Sequence, residues 1–304
     1  MEKQKHLSKF ERVENPPNIF LQQRDIDLFE SLAKYRYLTT TQLHNIIFTG
    51  LSPTSIRRRL FKLYHNAYID RLFTDNPQST KPVGEACYFL DKDGYNVLVS
   101  ERDYDGAFQA KNKRVKAVFL NHTIAIIDFR LSIEKGLKNN KLAYLPENAW
   151  FSEYDMQDPM ATKKRDKYII YDEVYDSEIN RRVSLYPDSL FVLNGLGKYA
   201  DYQALYFVEI DRGTESSKKI LKKLRAYDLY LKNKGFKKYA DVNFFKVLFV
   251  TTSQKRIDAL LENLQDNSGL DLFLFSHFEE TKNNNVITDS IWLKPDGEVV
   301  SIIK

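Results

Sequence analysis

The 304-residue chain carries 43% hydrophobic and 29% charged residues, one cysteine, Cys87, and a formal net charge of +5. This composition suits a globular protein long enough for two domains, and it excludes an internal disulfide, a thiolate metal cluster and a membrane-spanning apolar run. Up to Leu120 there are 19 Lys and Arg against 14 Asp and Glu, which accounts for the whole excess, and beyond it 27 face 27. A basic first part joined to a neutral second part is the pattern of a nucleic-acid-binding domain followed by another domain.

Residues 1–18 are polar, end in Asn-Pro-Pro-Asn and read as a flexible arm; they contain no apolar leader segment, so a cytoplasmic location is expected. From Arg24, the positions Ile26, Phe29, Leu32 and Ala33 fall on one helical face. Thr39, Thr40 and Thr41 can cap a second helix carrying Leu43, Ile46 and Ile47, which Gly50 stops. Ser52-Pro53 is an N-cap followed by proline at the first helical position, which predicts a third helix. On it Ile56, Leu60 and Leu63 point inward while Arg57, Arg58, Arg59, Lys62 and His65 occupy the remaining circumference. A β-hairpin with a long tip follows, Tyr68 to Phe73 and Ala86 to Leu90, carrying Arg71 and Lys81. Helix, helix, basic helix and hairpin is the order of a winged helix-turn-helix over residues 19–102, which would lay the basic helix in the major groove of duplex DNA and its cations on phosphates. The other reading of the same order is a protein-contact module with a solvated arginine face.

A short helix near Lys92 to Ser100 closes this part, and residues 103–118 read as a linker with a basic second half. The remainder, 119–304, reads as a mixed α/β domain with a central sheet. It opens on a helix from His122 to Glu134, with Ile124, Ile127 and Leu131 inward and Asp128 on it. Lys141 to Tyr154 reads as a strand containing Trp150 and Glu153, and 155–180 as a polar insertion. Two apolar strands follow between Leu185 and Ile210, then a helix from Ser216 to Lys234, a strand ending at Val250, a helix from Gln254 to Leu264, a strand from Asp271 to Ser276 and a hairpin at Asp296-Gly297. At the period of two, Asp188 stands at the start of one apolar strand, and Glu209 and Asp211 share a face near the end of the next. Three carboxylates aimed at one place predict a Mg²⁺ or Mn²⁺ site, with Glu153 as a further ligand candidate. The plainer alternative is three solvated strand-end acids.

The order helix, strand, Pro187-Asp188 strand, Glu209 strand, helix, strand resembles the restriction-endonuclease-like PD-(D/E)xK fold. The resemblance implies that the aspartate and glutamate hold the metal while a lysine two positions after the glutamate assists attack on the phosphodiester. Asp211 stands where that lysine is expected, so the resemblance points to a lysine of the following helix, Lys219 or Lys223. More specifically, Ser55-Ile-Arg-Arg-Arg-Leu, His122 with Asp128, Trp150-Phe-Ser-Glu153, Pro187-Asp188, the run Glu209-Ile-Asp-Arg-Gly-Thr-Glu215 and Tyr227 resemble the replication-relaxation family, which is similar to MobC-type plasmid relaxases. That resemblance implies a DNA-binding winged helix joined to a nuclease-like domain that nicks origin or transfer-region DNA, in company with plasmid mobilisation or replication proteins. His122, Asp128, Glu134, Arg212, Glu215 and Tyr227 are its further candidates. The five histidines, His6, His44, His65, His122 and His277, contain no closely spaced pair, so cutting here requires carboxylates. The alternative is a non-catalytic origin-binding accessory factor with an inert nuclease-like domain, in which Arg212 and Glu215 pair across the turn at Gly213.

Overall fold

The structure, a computed structural model, describes residues 11–75, 84–110, 112, 115–262 and 270–303. Lys81, His6 and the linker cations Lys111, Lys113 and Arg114 lie outside the described residues. The fold is mixed α+β, and the chain divides into two compact units, one up to Asp128 and the other from Phe129 onward. Among the described residues no helix is long and apolar enough to cross a membrane.

The first unit contains α1 (Gln23–Tyr35), β1 (Leu38–Thr39), α2 (Thr40–Ile46), α3 (Pro53–His65), β2 (Ile69–Phe73), β3 (Ala86–Leu90) and α4 (Lys92–Arg102). Local chemistry sets the boundaries. Thr39 accepts from the Gln42 backbone and the Gln42 side chain accepts from Thr39, a capping box that starts α2; Ser52 accepts from Ser55 with Pro53 in the first turn of α3. The three strands pair antiparallel in the order β1-β3-β2, and Leu28, Phe29, Leu43, Ile56, Leu60, Leu63 and Ile69 are fully buried around them. In the arm, Arg12 donates to the carbonyls of Tyr64 at 2.8 Å and Ile69 at 2.7 Å and pairs with Asp91 at 2.6 Å, so this part of the arm is docked.

The boundary between the units falls inside α5 (Ala117–Leu137), which begins five residues before the expected start at His122. Its buried positions include Leu120, Thr123, Ile126, Ile127, Phe129, Arg130, Ile133 and Leu137, while Ile124 and Leu131 are only half-buried. The second unit then runs β4 (Ala143–Tyr144), β5 (Trp150–Ser152), α6 (Lys164–Lys167), β6 (Asp172–Asp176), β7 (Arg181–Leu185), β8 (Ser189–Gly195), β9 (Gln203–Ile210), α7 (Ser217–Asn233), β10 (Phe245–Thr251), α8 (Gln254–Glu262), β11 (Phe273–His277), α9 (Phe278–Asn283), β12 (Trp292–Leu293) and β13 (Val299–Val300). The strand expected from Lys141 to Tyr154 is thus two short strands, and the insertion forms a turn of helix and a separate β6-β7 hairpin. The main sheet has the order β13-β12-β11-β10-β9-β8-β4, with β5 also on β8. Among the described residues only β9, β10 and β11 run parallel, with α7 and α8 between them.

Alternation along the strands gives the sheet two apolar faces. Phe207, Val247, Phe249 and Phe275 pack with Ile220, Leu224, Tyr227, Ile257 and Leu260 of α7 and α8. The neighbouring positions form a stack in which Trp150 lies 5.1 Å from Phe191, Phe191 lies 5.1 Å from Tyr206, and the Arg130 guanidinium covers Trp150 at 5.1 Å. Burial on both faces leaves the sheet's polar work to its edge, where β8 begins and β9 ends.

Candidate active site

Asp188 immediately precedes β8, beside the end of β9, because the two strands pair antiparallel with Ser189 opposite Val208. Its Oδ2 accepts the backbone N–H of Ile210 at 2.7 Å, which fixes the carboxylate against β9. Glu209 is the penultimate residue of β9, 1% exposed, and faces α7. There Lys223 Nζ donates to its Oε2 at 2.7 Å and the Tyr227 hydroxyl to its Oε1 at 2.5 Å. Lys223 and Tyr227 are four residues apart and so stand on one face of α7.

Electrostatics ties these four groups together. Burial pushes the Glu209 carboxyl up to about 7; Lys223 opposes this and the charge of Asp188 adds to it. Burial alone would lower the Lys223 ammonium, but Glu209, Asp188 and Glu215 together hold it above its ordinary value. The fully buried Tyr227 hydroxyl is raised by burial and then by Glu209, so it serves as a proton donor to the carboxylate. In this buried setting Lys223 is the cation that faces Glu209, and the charge of Asp188 acts on both.

The replication-relaxation family matches residues 29–247, a span that contains all four groups. This chain belongs to the replication-relaxation family. Membership suggests a role in plasmid replication or mobilisation, with DNA or replication proteins as partners. No curated protein and no solved structure matches the chain.

In this family member Asp211 does not join Asp188 and Glu209, although it follows β9 on the expected face. Its Oδ2 is taken by the Arg256 guanidinium and by the Thr251 hydroxyl at 2.8 Å, and its Oδ1 accepts the Gly213 N–H at 2.9 Å. Gly213 has φ of +77°, a turn conformation that glycine adopts without strain. The expectation of three converging carboxylates is corrected accordingly: among the described residues no three Asp, Glu, His or Cys side chains form a metal-holding group. Of the two candidate lysines, Lys223 reaches Glu209, whereas Lys219 is exposed and pairs with Glu215. Glu215 also lies 3.8 Å from Lys223, so the lysines take the place expected for Arg212, which is half-buried at the mouth of the turn.

Glu153 is half-buried just after β5; its backbone N–H donates to the Asp188 carbonyl at 3.0 Å. On α5, His122 is half-buried, Asp128 accepts from Gln42 at 2.7 Å and Glu134 pairs with Arg130 at 3.1 Å. In the first unit the arginine run is divided. Arg57, Arg58 and Lys62 are exposed on α3, but Arg59 sits at the border of the buried stripe and turns inward, its Nε 2.9 Å from the buried Asp25. His65 is buried, its ring 4.4 Å from Phe61, and Arg71 lies over Tyr64 at 4.1 Å.

The residue that sequence reasoning missed is Arg256. It neutralises Asp211 and donates to the Glu215 carbonyl at 2.6 Å, joining the first turn of α8 to the loop that carries the chain into α7. It lies 45 residues beyond Asp211 with no periodic or motif signal linking the two.

Proposed function

We propose that this chain is a two-part DNA-processing protein: residues up to about 102 act as a winged helix on duplex DNA, and the second unit is a PD-(D/E)xK-like, metal-dependent nickase of origin or transfer-region DNA. The observation that carries the reading is Lys223 on Glu209 beside Asp188, because it restores from α7 the cation that the strand lacks at Asp211. The residues fit a Mg²⁺ or Mn²⁺ ion in the way Mg²⁺ is usually held, by one or two carboxylates with water and substrate phosphate completing the shell. When bound, such an ion would polarise the phosphodiester and lower the pKa of its water. Asp188, kept rigid by the Ile210 N–H, and Glu209, oriented by Tyr227, supply the ligands. Lys223 stays protonated, favours the ionised form of Glu209 against the effect of burial and offers positive charge to the developing phosphorane oxygens. Arg57, Arg58 and Lys62 contact phosphates on either side of the groove.

The test is nicking of a supercoiled plasmid that carries the protein's own origin region, with Mn²⁺ or Mg²⁺. Wild type is expected to nick, and Asp188→Ala, Glu209→Ala and Lys223→Ala each to lose at least about 100-fold in rate, as loss of electrostatic transition-state groups does elsewhere. Specific binding of that DNA with no cutting under either metal would sink the catalytic reading. A second reading, a non-catalytic origin-binding accessory factor, is favoured by one feature: both Glu209 oxygens already accept protein donors.

A further inference from the structure

The excursion between β5 and β6 leaves the sheet at Glu153, beside Asp188, and returns through Tyr168 and Ile169, with Gln157 N–H on the Lys167 carbonyl at 2.9 Å and Ile169 N–H on the Asp155 carbonyl at 3.1 Å. Its tip carries Lys163, Lys164, Arg165 and Lys167 within five residues. Lys163 and Lys164 are exposed, and among the described residues neither they nor Lys167 has a carboxylate partner; Arg165 is exposed and pairs only with its neighbour Asp166 at 3.3 Å. The tip is tied to the site by aromatic rings. Lys164 Nζ lies 6.0 Å from the ring centres of both Tyr171 and Tyr186, and Tyr168 packs on Tyr186 at 5.5 Å. Tyr186 is two residues before Asp188, and its hydroxyl donates to the carbonyl of Glu153, the residue whose N–H holds the Asp188 carbonyl.

A turn with four cations and one carboxylate, Asp166, tied by its rings to the strand that bears Asp188, calls for a use beyond its own folding. On the Glu209 side of the same sheet edge, α7 presents Lys218 and Lys222, both exposed. Elements next to each acid thus carry exposed lysines, Lys163 and Lys164 on the Asp188 side and Lys218 and Lys222 on the Glu209 side, that have no carboxylate partner among the described residues.

We propose that the Lys163–Lys167 turn is a phosphate-gripping arm of the site, holding the sugar–phosphate backbone of a DNA strand on the Asp188 side while the α7 lysines hold it on the Glu209 side. This rests on the reading of the second unit as DNA-processing, and it assigns to the insertion the task of laying the strand across the acids. Lys163, Lys164 and Arg165 each meet a phosphate; Tyr168 and Tyr186 keep the turn at its height above the sheet.

The test is binding of a fluorescent single-stranded oligonucleotide of about 20 nucleotides by the full chain in EDTA, where nothing is cut and where any contribution of Arg57 and Arg58 is the same in every protein compared. Two variants of equal charge change are compared with wild type: Lys163→Ala/Lys164→Ala/Arg165→Ala, and Lys138→Ala/Lys198→Ala/Lys282→Ala, three exposed lysines elsewhere in the second unit. The arm variant is expected to bind at least about tenfold more weakly at 0.1 M salt, with the slope of log affinity against log salt reduced by about 2, since each phosphate contact on a single strand contributes about 0.7. The control variant is expected to stay within about threefold of wild type. Equal losses in the two variants, or no single-strand binding by wild type, would overturn the proposal. Because the assay needs no catalysis, a protein that never nicks but shows the arm-specific loss retains the gripping arm and loses only the nickase reading.

Discussion

Two basic helices, one in each unit, bring a cation onto a buried acid, Arg59 onto Asp25 and Lys223 onto Glu209, and the two pairs differ in the charge around them. On α3, Arg59 meets Asp25, whose other oxygen accepts the Gln22 N–H at the start of α1, so one carboxylate faces one guanidinium with its hydrogen bonds filled. On α7, Lys223 meets Glu209 with a second acid, Asp188, acting on both groups, and burial still raises the Glu209 carboxyl. The first pair is closed and serves the fold. The second is the pair at which the proposed function places a divalent ion with phosphate. A basic run on a helix is therefore not uniform: the member nearest the apolar stripe belongs to the core, and the acid it finds there decides whether the pair is structure or site.

The sharpest way to break this comparison is to remove each inward cation and read stability. Arg59→Ala leaves Asp25 buried without its charge partner and is expected to destabilise the first unit by about 3–5 kcal/mol, measured by urea denaturation. If Arg59→Ala instead left stability intact and cost duplex binding, Arg59 would belong with the DNA contacts. Next in size is Arg57→Ala/Arg58→Ala, which should weaken duplex binding with the salt slope reduced by about 1.8 while stability changes by less than about 0.5 kcal/mol. A loss of stability in that double variant would show that the outer arginines also serve the fold. The third effect is in pH. The Glu209 carboxyl is raised to about 7 in the fold from an ordinary value of 4.5, so the folded state binds the extra proton between these values and the contribution to stability falls as pH rises through that window. Glu209→Gln should remove this slope between about pH 4.5 and 7, and Mn²⁺ binding by wild type should weaken as pH falls below about 7, followed by calorimetry. A wild-type slope of the opposite sign would mean that Lys223 outweighs burial at Glu209.

What the sequence disclosed follows from how local each signal is. The starts of α2 and α3 were legible because Thr39, Gln42, Ser52 and Pro53 act within a single turn. The strands bearing Asp188 and Glu209 were legible from their apolar runs, which bury both faces of the sheet. The lysine was legible only as a choice, since Lys219 and Lys223 are one turn apart and share a face; which one reaches Glu209 depends on where α7 crosses β9. Asp211 was misread as a partner of Glu209 because strand alternation gives a residue's side but not its neighbour, and the neighbour, Arg256, arrives through the β10 crossover. Arg59 was grouped with Arg57 and Arg58 for the same reason, its partner Asp25 lying 34 residues earlier.

The position of Arg256 also bears on where the working module ends. The family match stops at Val247, within β10, yet the acid at the end of β9 is neutralised from the first turn of α8. A fragment cut at the match boundary would strip Asp211 of both Thr251 and Arg256 and loosen the loop that aligns Lys223 with Glu209. The smallest transplantable unit must therefore run through α8, and grafts or chimeras between relatives should place their junctions beyond it.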